Sequence, residues 1–268
     1  AVQSGGRQNG GSKMKPDIRL RCSRILVTGG GSGIGRAIAE RLAAAGAQVT
    51  IAGRHMEKLR SAAAEIGSDR IHPIVWDIAD VDAWQQKTVQ IQEMMGGLDG
   101  FVNAAALGSA VVTGRGFDPF DITASEWDQL NDVNFKAAFF MLRNEAAYLK
   151  SGGIAGNILN IASNAAYMDI SGSYGAAKLA VVRWTRTFAK RFGHDGIVIN
   201  GIAPGATFTP MIARYAHDPD QPYPRHAIGR LIRPEEIAEL AHYMMSNYGE
   251  ILCGHTVVAD GGDTLAGC

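Results

Sequence analysis

Residues 24–35 read RILVTGGGSGIG, an apolar run that breaks into a glycine-rich turn and resumes with helical spacing. Ile34, Ile38 and Leu42 keep that spacing until Gly46 closes the helix. A strand feeding a glycine turn that opens a helix is the context a phosphate-binding turn requires. After Thr28, Gly29 permits the tight turn, Gly33 lets a pyrophosphate approach the backbone, and Gly35 lets the helix pack closely on the sheet. Free N–H groups and partial positive charge at the helix start favour an anion there. The spacing departs from GxGxxG, because counting from Gly29 puts that pattern's last glycine on Ile34; it fits TGxxxGIG instead.

Outward from this turn, strand-like and helical stretches alternate. QVTIAG (48–53), IHPIVWD (71–77), DGFVNAA (99–105), NILNIAS (157–163), IVINGIAP (197–204) and HTVVADGG (255–262) read as strands. HMEKLRSAAAEIG (55–67), the stretch from Trp127 to Leu149 and the segment carrying Tyr174 and Lys178 read as helices. The alternation predicts an α/β fold built on a doubly wound parallel sheet, with helices on both faces. Residues 1–20 are polar and Gly-rich and are expected to form a flexible tail, leaving 21–268 as a single catalytic domain. Between Pro204 and Pro234 the chain lacks a clear period and is too long for a plain connector, so residues around 207–233 are expected to form a lid over a substrate.

Composition narrows the partners. Lys plus Arg and Asp plus Glu are both 26 in 268 residues, so no global field recruits nucleic acid or an anionic membrane, and a small molecule is favoured. Three cysteines, Cys22, Cys253 and Cys268, stand far apart with no metal-binding or disulfide spacing, which points to a reducing, cytoplasmic setting. No apolar stretch is long enough to span a membrane, and the start lacks a hydrophobic signal core.

Two positions bear on the nucleotide. A site that reads a free ribose 2′-hydroxyl usually places Asp or Glu at the end of the second strand. Here Gly53 and Arg54 stand there, so Arg54, with the Ser32 hydroxyl, favours NADP over NAD by holding a 2′-phosphate. Asp77, followed by Ile78, can accept from an adenine amino group, cap the next helix, or do both.

Tyr174 and Lys178 lie one helical turn apart on one face. A cation beside a phenol of ordinary pKa ~10 favours the phenolate, so Lys178 is expected to lower the Tyr174 pKa and make it a usable general acid or base. Ser163 ends the fifth strand, where open α/β sheets present active-site groups; Ser171 and Ser173 are rival hydroxyls closer to Tyr174.

With TGGGSGIG at Thr28, LDGFVNAAA ending at Ala106, NDVN ending at Asn134, IAS ending at Ser163, YGAAK from Tyr174 and APGATFTPM from Ala203, the chain resembles the short-chain dehydrogenase/reductase family from Arg24 to about Gly262. The resemblance implies a single Rossmann domain and hydride transfer between a nicotinamide and a carbonyl or alcohol. It implies a catalytic set of Ser163, Tyr174 and Lys178, with Asn134 keeping a water in line with the lysine. Ser163 and Tyr174 then meet the substrate, and Lys178 also holds the nicotinamide ribose. Thr28, Asn103 and Ala104 join the cofactor residues, Thr207 and Thr209 fix the carboxamide, and Pro204 and Gly205 shape that turn. The resemblance further implies a homo-oligomer, dimer or tetramer, paired through the long helix, the Tyr174 helix and the last strand. Phe135, Phe139, Phe140 and Met141 suit either such an interface or a core.

Three departures from the family stand out. Ala104, Ala105 and Ala106 follow Asn103 where NNAG is usual, Ser163 precedes Tyr174 by eleven residues, about two fewer than is common, and the loop after the fourth strand, with Arg115, is extended. Two other readings stay open: a reductase of 3-oxoacyl thioesters that docks a carrier on Arg214, Arg225, Arg230 and Arg233, and a non-catalytic NADP(H)-binding sensor.

Overall fold

The computed structural model describes residues 18–115, 120–168, 172–213 and 215–265. In chain order the elements are β1 (Arg24–Thr28), α1 (Gly33–Ala44), β2 (Gln48–Gly53), α2 (Met56–Ile66), β3 (Ile71–Val75), α3 (Trp84–Met95), β4 (Gly100–Asn103) and α4 (Ser109–Thr113). There follow α5 (Ala124–Asn131), a π-helical turn (Asp132–Ala137), α6 (Ala138–Ser151), β5 (Asn157–Ile161), α7 (Ser173–Phe192), β6 (Val198–Pro204), α8 (Pro234–Met244) and β7 (Thr256–Ala259). The strands form a seven-stranded sheet in the order β3-β2-β1-β4-β5-β6-β7, with every pairing parallel. The winding reverses between β1 and β4, and ligands of such sheets bind in the crevice at that point.

Alternation along β1 explains the two layers. Ile25 and Val27 point into a core completed by Ile38 and Leu42 of α1, Leu59 of α2, and Ile237 and Met244 of α8. Leu26 points the other way, into a core with Phe101, Ile158 and Ile199 of the sheet, Ile91 of α3, and Met141, Leu142 and Leu149 of α6. Each such side chain removed from water contributes about 1.5–3 kcal/mol, so β1 is fixed from both faces.

Every strand and helix expected from the sequence is present, with instructive differences at the ends. β3 stops at Val75 because β2, its partner, stops at Gly53; the last ladder contact beyond it is Trp76 N donating to the Gly53 oxygen at 2.9 Å. β5 likewise stops at Ile161, so Asp77 and Ser163 sit two residues past their strands. The long helix begins at Ala124, where Thr123 and Glu126 form a capping box, and widens to π geometry around Asn134. Arg19 and Leu20, expected in the tail, are pinned beside α8: Arg19 N donates to Asn247 Oδ1 at 3.0 Å, and Leu20 bridges to Ser246. Residues 1–17, Ser171, Arg214 and Cys268 lie outside the described residues. Among the described residues no helix is long and apolar enough to cross a membrane, and no group of His, Cys, Asp and Glu is placed to hold a metal.

Candidate active site

The glycine turn is built by close backbone approach. Gly29 adopts φ +69°, and a Cβ there would meet Ala105 Cα at 2.8 Å. A Cβ on Gly35 would stand 2.5 Å from the Gly29 oxygen, so the turn and the first helical residues close only without side chains. Thr28 Oγ1 accepts from Ala105 N at 3.3 Å, tying the end of β1 to the loop after β4. Ser32 stands at the N-cap of α1, its side chain makes no capping bond, and the first turn carries no acid. The positive end of α1 therefore faces the crevice with unspent donors.

Gly29, Ser32, Gly33, Ile34 and Gly35 line one cleft of about 340 Å³. Arg54, Asp77, Ile78 and Ala104 line it on the β2–β3 side and from the loop after β4. His55 and Lys58 join exposed Arg54 there, a cationic rim the sequence reading missed although the three fall within five residues. Asp77 does not cap the next helix, since the helical turn at Val81–Ala83 begins after Asp80; its Oδ1 accepts from Ala79 N at 3.0 Å and closes a turn just past β3. Pro204, Gly205, Thr207 and Thr209 line the cleft from the chain leaving β6. Thr207 is buried and donates to the Gly205 oxygen at 2.9 Å, and Thr209 stands directly against Gly33.

Ser163, Tyr174 and Lys178 line the same cleft. Ser163 caps the 3₁₀ turn Asn164–Tyr167, its Oγ accepting from Ala165 N at 3.2 Å. Ser173, its rival, is buried in the first turn of α7 and does not line the cleft. Lys178 is buried, its Nζ donates to the Ile161 carbonyl oxygen at 3.0 Å, and it lies 5.6 Å from the centre of the Tyr174 ring. Burial pulls the Lys178 ammonium down to about 8.

The expectation that Lys178 lowers the Tyr174 pKa is not met in this arrangement. Burial pushes the phenol up, and the opposing influence is the hydrogen bond with the Ser163 hydroxyl. The ammonium is committed to the Ile161 carbonyl and lies over the ring, so its charge does not bear directly on the hydroxyl.

Thr28, Asn103 and Asn134 do not line this cleft. They surround an adjoining cavity of about 20 Å³, with Lys178 and Ile161 in the wall between the two. That volume accommodates a single water, and polar atoms line it. Asn134 is buried in the π-helical turn and clamps the backbone of Leu107, accepting from its N at 3.0 Å and donating to its oxygen at 2.8 Å. Asn103 Nδ2 donates to Glu145 Oε2 at 2.8 Å and to Asn160 Oδ1 at 3.0 Å. Glu145 is fully buried, and burial pushes its carboxyl up to about 8. The sequence reading missed it, although Met141, Glu145 and Leu149 share one helical stripe that is otherwise apolar.

The cradle accepts a dinucleotide on structural grounds: side chains are excluded where backbone must approach, donors at α1 are free, and the Ser163 and Tyr174 hydroxyls share the cleft. A doubly wound sheet with this site defines a nicotinamide-dependent oxidoreductase. Comparison with known proteins agrees. A family model described as enoyl-(acyl carrier protein) reductase matches residues 29–264. The 2,5-dichloro-2,5-cyclohexadiene-1,4-diol dehydrogenase of Sphingobium indicum is 36% identical over 247 residues, covering 90% of this chain and 96% of its own. Levodione reductase of Leifsonia aquatica is 32% identical over 266 residues, covering 94% and 97%. A short-chain dehydrogenase from Burkholderia cenocepacia, solved in complex with NADP, superposes with a TM-score of 0.79 at 33% identity, covering 91% of this chain and 99% of that one. The chain belongs to the short-chain dehydrogenase/reductase family. It is an oxidoreductase that transfers hydride between an NAD(P) cofactor and the alcohol or carbonyl group of a small molecule.

Proposed function

We propose that the chain uses NADP(H) and acts on a small, uncharged ketone or secondary alcohol, cyclic in the first instance, with Tyr174 moving the proton. The observation that carries this reading is that Ser163, Tyr174 and Lys178 line one cleft with the glycine turn. When bound, the nicotinamide supplies or accepts the hydride. The free N–H groups at α1 and Ser32 would hold the pyrophosphate, and Thr207 and Thr209 the nicotinamide end. Arg54, unpaired with any carboxylate among the described residues, would hold the 2′-phosphate together with His55 and Lys58.

Ser163 donates to the carbonyl oxygen and fixes its orientation. Tyr174 gives its proton to that oxygen as negative charge develops there, and takes it back in the oxidative direction. A phenol held protonated by burial is suited to the reductive role. Lys178 and Asn134 border the chamber through which a water can return a proton to the phenolate left behind.

For the substrate, the remaining lining includes Leu107, Val133 and Met211, all apolar, and a relative is named for a cyclohexadienediol. Residues 207–233 would cover that end as a lid. A carrier-bound 3-oxoacyl thioester fits less well, because Arg225, Arg230 and Arg233, the described residues of that docking set, are already paired with Asp263, Glu236 and Asp220. A sensor without chemistry has no use for the Ser163, Tyr174 and Lys178 set. We read the chain as a cytoplasmic homo-oligomer, supported by the free thiols of Cys22 and Cys253 and by exposed Phe135 and Leu179 on the faces of the π-helical turn and α7. Steady-state rates with NADPH and NADH over cyclic ketones and diols, linear ketones and acyl thioesters test the reading. Preference for NADPH and a cyclic ketone or diol is expected, and turnover of acyl thioesters alone would replace it.

A further inference from the structure

The turn that carries Ser163 is held from behind by a buried carboxylate. Asn164, the next residue, is buried, and its Nδ2 donates to Asp263 Oδ2 at 3.0 Å. Asp263 follows β7, and its side chain is only 7% exposed. A carboxylate so placed needs charge-assisted partners. It finds one in Arg225, whose Nε lies 3.3 Å from Oδ1 and whose Nη2 lies 3.5 Å from Oδ2.

Arg225 belongs to the segment between β6 and α8, which lies across the Gly261–Gly262 turn. Ile228 N donates to the Gly261 oxygen at 3.1 Å, and a Cβ on Gly262 would meet the Ala227 side chain at 2.6 Å. His226 is buried beneath the segment, with Nδ1 against the Arg230 oxygen at 2.8 Å. Asp260 fixes the other side of the turn, accepting from Gly262 N at 3.0 Å and Thr264 N at 2.7 Å. The docked segment, the turn after β7 and the Ser163 turn thus meet at one carboxylate.

We propose that Asp263 is a positioning residue: through Asn164 it aims the Ser163 hydroxyl, and Arg225 makes that hold depend on docking of the segment between β6 and α8. This rests on the reading of Ser163 as the hydroxyl that receives the substrate oxygen. With the segment docked, Arg225 offsets the buried charge and Asn164 is fixed. With it displaced, Asp263 is left buried without its cation, and the turn from Asn164 to Tyr167 loses its anchor. Ser163 would then be in register only when the segment is closed over the cleft.

Hydrogen–deuterium exchange of the full-length protein, read on the peptide spanning residues 162–168, tests the hold without requiring turnover. Asp263→Ala should speed exchange there and leave residues 24–35 unchanged, and Arg225→Met, a change at a half-exposed side chain, should do so to a lesser degree should Asp263→Ala not fold. Unchanged exchange in the folded variants overturns the proposal. In turnover, Asp263→Ala should lower kcat roughly ten- to hundredfold, the scale of a misplaced catalytic group, with NADPH affinity retained. In a Ser163→Ala background the same change should cost almost nothing further. An equal further loss there means Asp263 does not act through Ser163. Faster exchange combined with full turnover by Ser163→Ala would instead overturn the role given to Ser163 and leave the physical hold standing.

Discussion

Lys178 Nζ stands 5.6 Å from the centre of the Tyr174 ring while donating to the Ile161 carbonyl oxygen at 3.0 Å. The lysine is thereby anchored to the end of β5 rather than to the phenol. Its charge is held in a buried place where burial has pulled it down to about 8. Carbonyl reduction should therefore decline as pH rises through about 8, because Lys178 loses the proton it would pass through the adjoining chamber to restore the Tyr174 phenol. The pH profile of kcat/KM checks this, and Lys178→Arg, which keeps its charge, should move the decline to higher pH in whatever activity it retains. A profile flat through that region would separate Lys178 from the proton step.

Arg54 decides the cofactor in this account. A charge-assisted contact to a phosphate is worth about 1.5–3 kcal/mol, so Arg54→Ala should weaken NADPH roughly ten- to hundredfold and leave NADH nearly unchanged. Fluorescence titration with the two nucleotides reads the difference directly. Equal losses for both would remove the 2′-phosphate from Arg54.

Gly35→Ala places a methyl 2.5 Å from the Gly29 oxygen, an approach the backbone cannot meet without opening the turn. Overpacking of this kind costs about 1–3 kcal/mol. The variant should melt several degrees lower and bind nicotinamide nucleotide weakly. Unchanged nucleotide affinity would show that the turn does not hold the cofactor.

Glu145 gives stability a pH slope. Its carboxyl is raised from an ordinary 4.5 to about 8 by burial, so the folded protein holds a proton that the unfolded chain releases. The stability this group contributes is full below about pH 4.5, falls as pH rises towards 8 and is level above that, at about 1.4 kcal/mol per unit inside the window. Glu145→Gln should remove this slope, so that urea unfolding shows the variant gaining on the parent between pH 5 and 8. Parallel curves would contradict the assignment.

Much of this was legible from the chain because its signals are local. RILVTGGGSGIG carries strand, turn and helix in one run, and TGxxxGIG spacing places Gly29 and Gly35 where the structure excludes a Cβ and Gly33 where φ is +53°. Tyr174 and Lys178 are joined by helical periodicity alone. The remainder depends on contacts distant in sequence. Thr28, Asn103 and Asn134 fell on the far side of a wall formed by Ile161 and Lys178, which only the packing of β5 against α7 reveals. Glu145 meets Asn103 across 42 residues, and Asp263 meets Asn164 across 99. The pKa of Tyr174 was misjudged because helical spacing fixes which face a lysine shares but not which way its ammonium turns.

The central claim is that the Tyr174 hydroxyl moves the proton in a cleft that binds the nucleotide independently of it. Tyr174→Phe keeps the ring and removes the hydroxyl, so turnover of the preferred ketone should fall by at least about 10²–10⁴-fold, the range of general acid catalysis, while NADPH binding by fluorescence titration stays within about twofold. Turnover that survives in Tyr174→Phe would contradict the account.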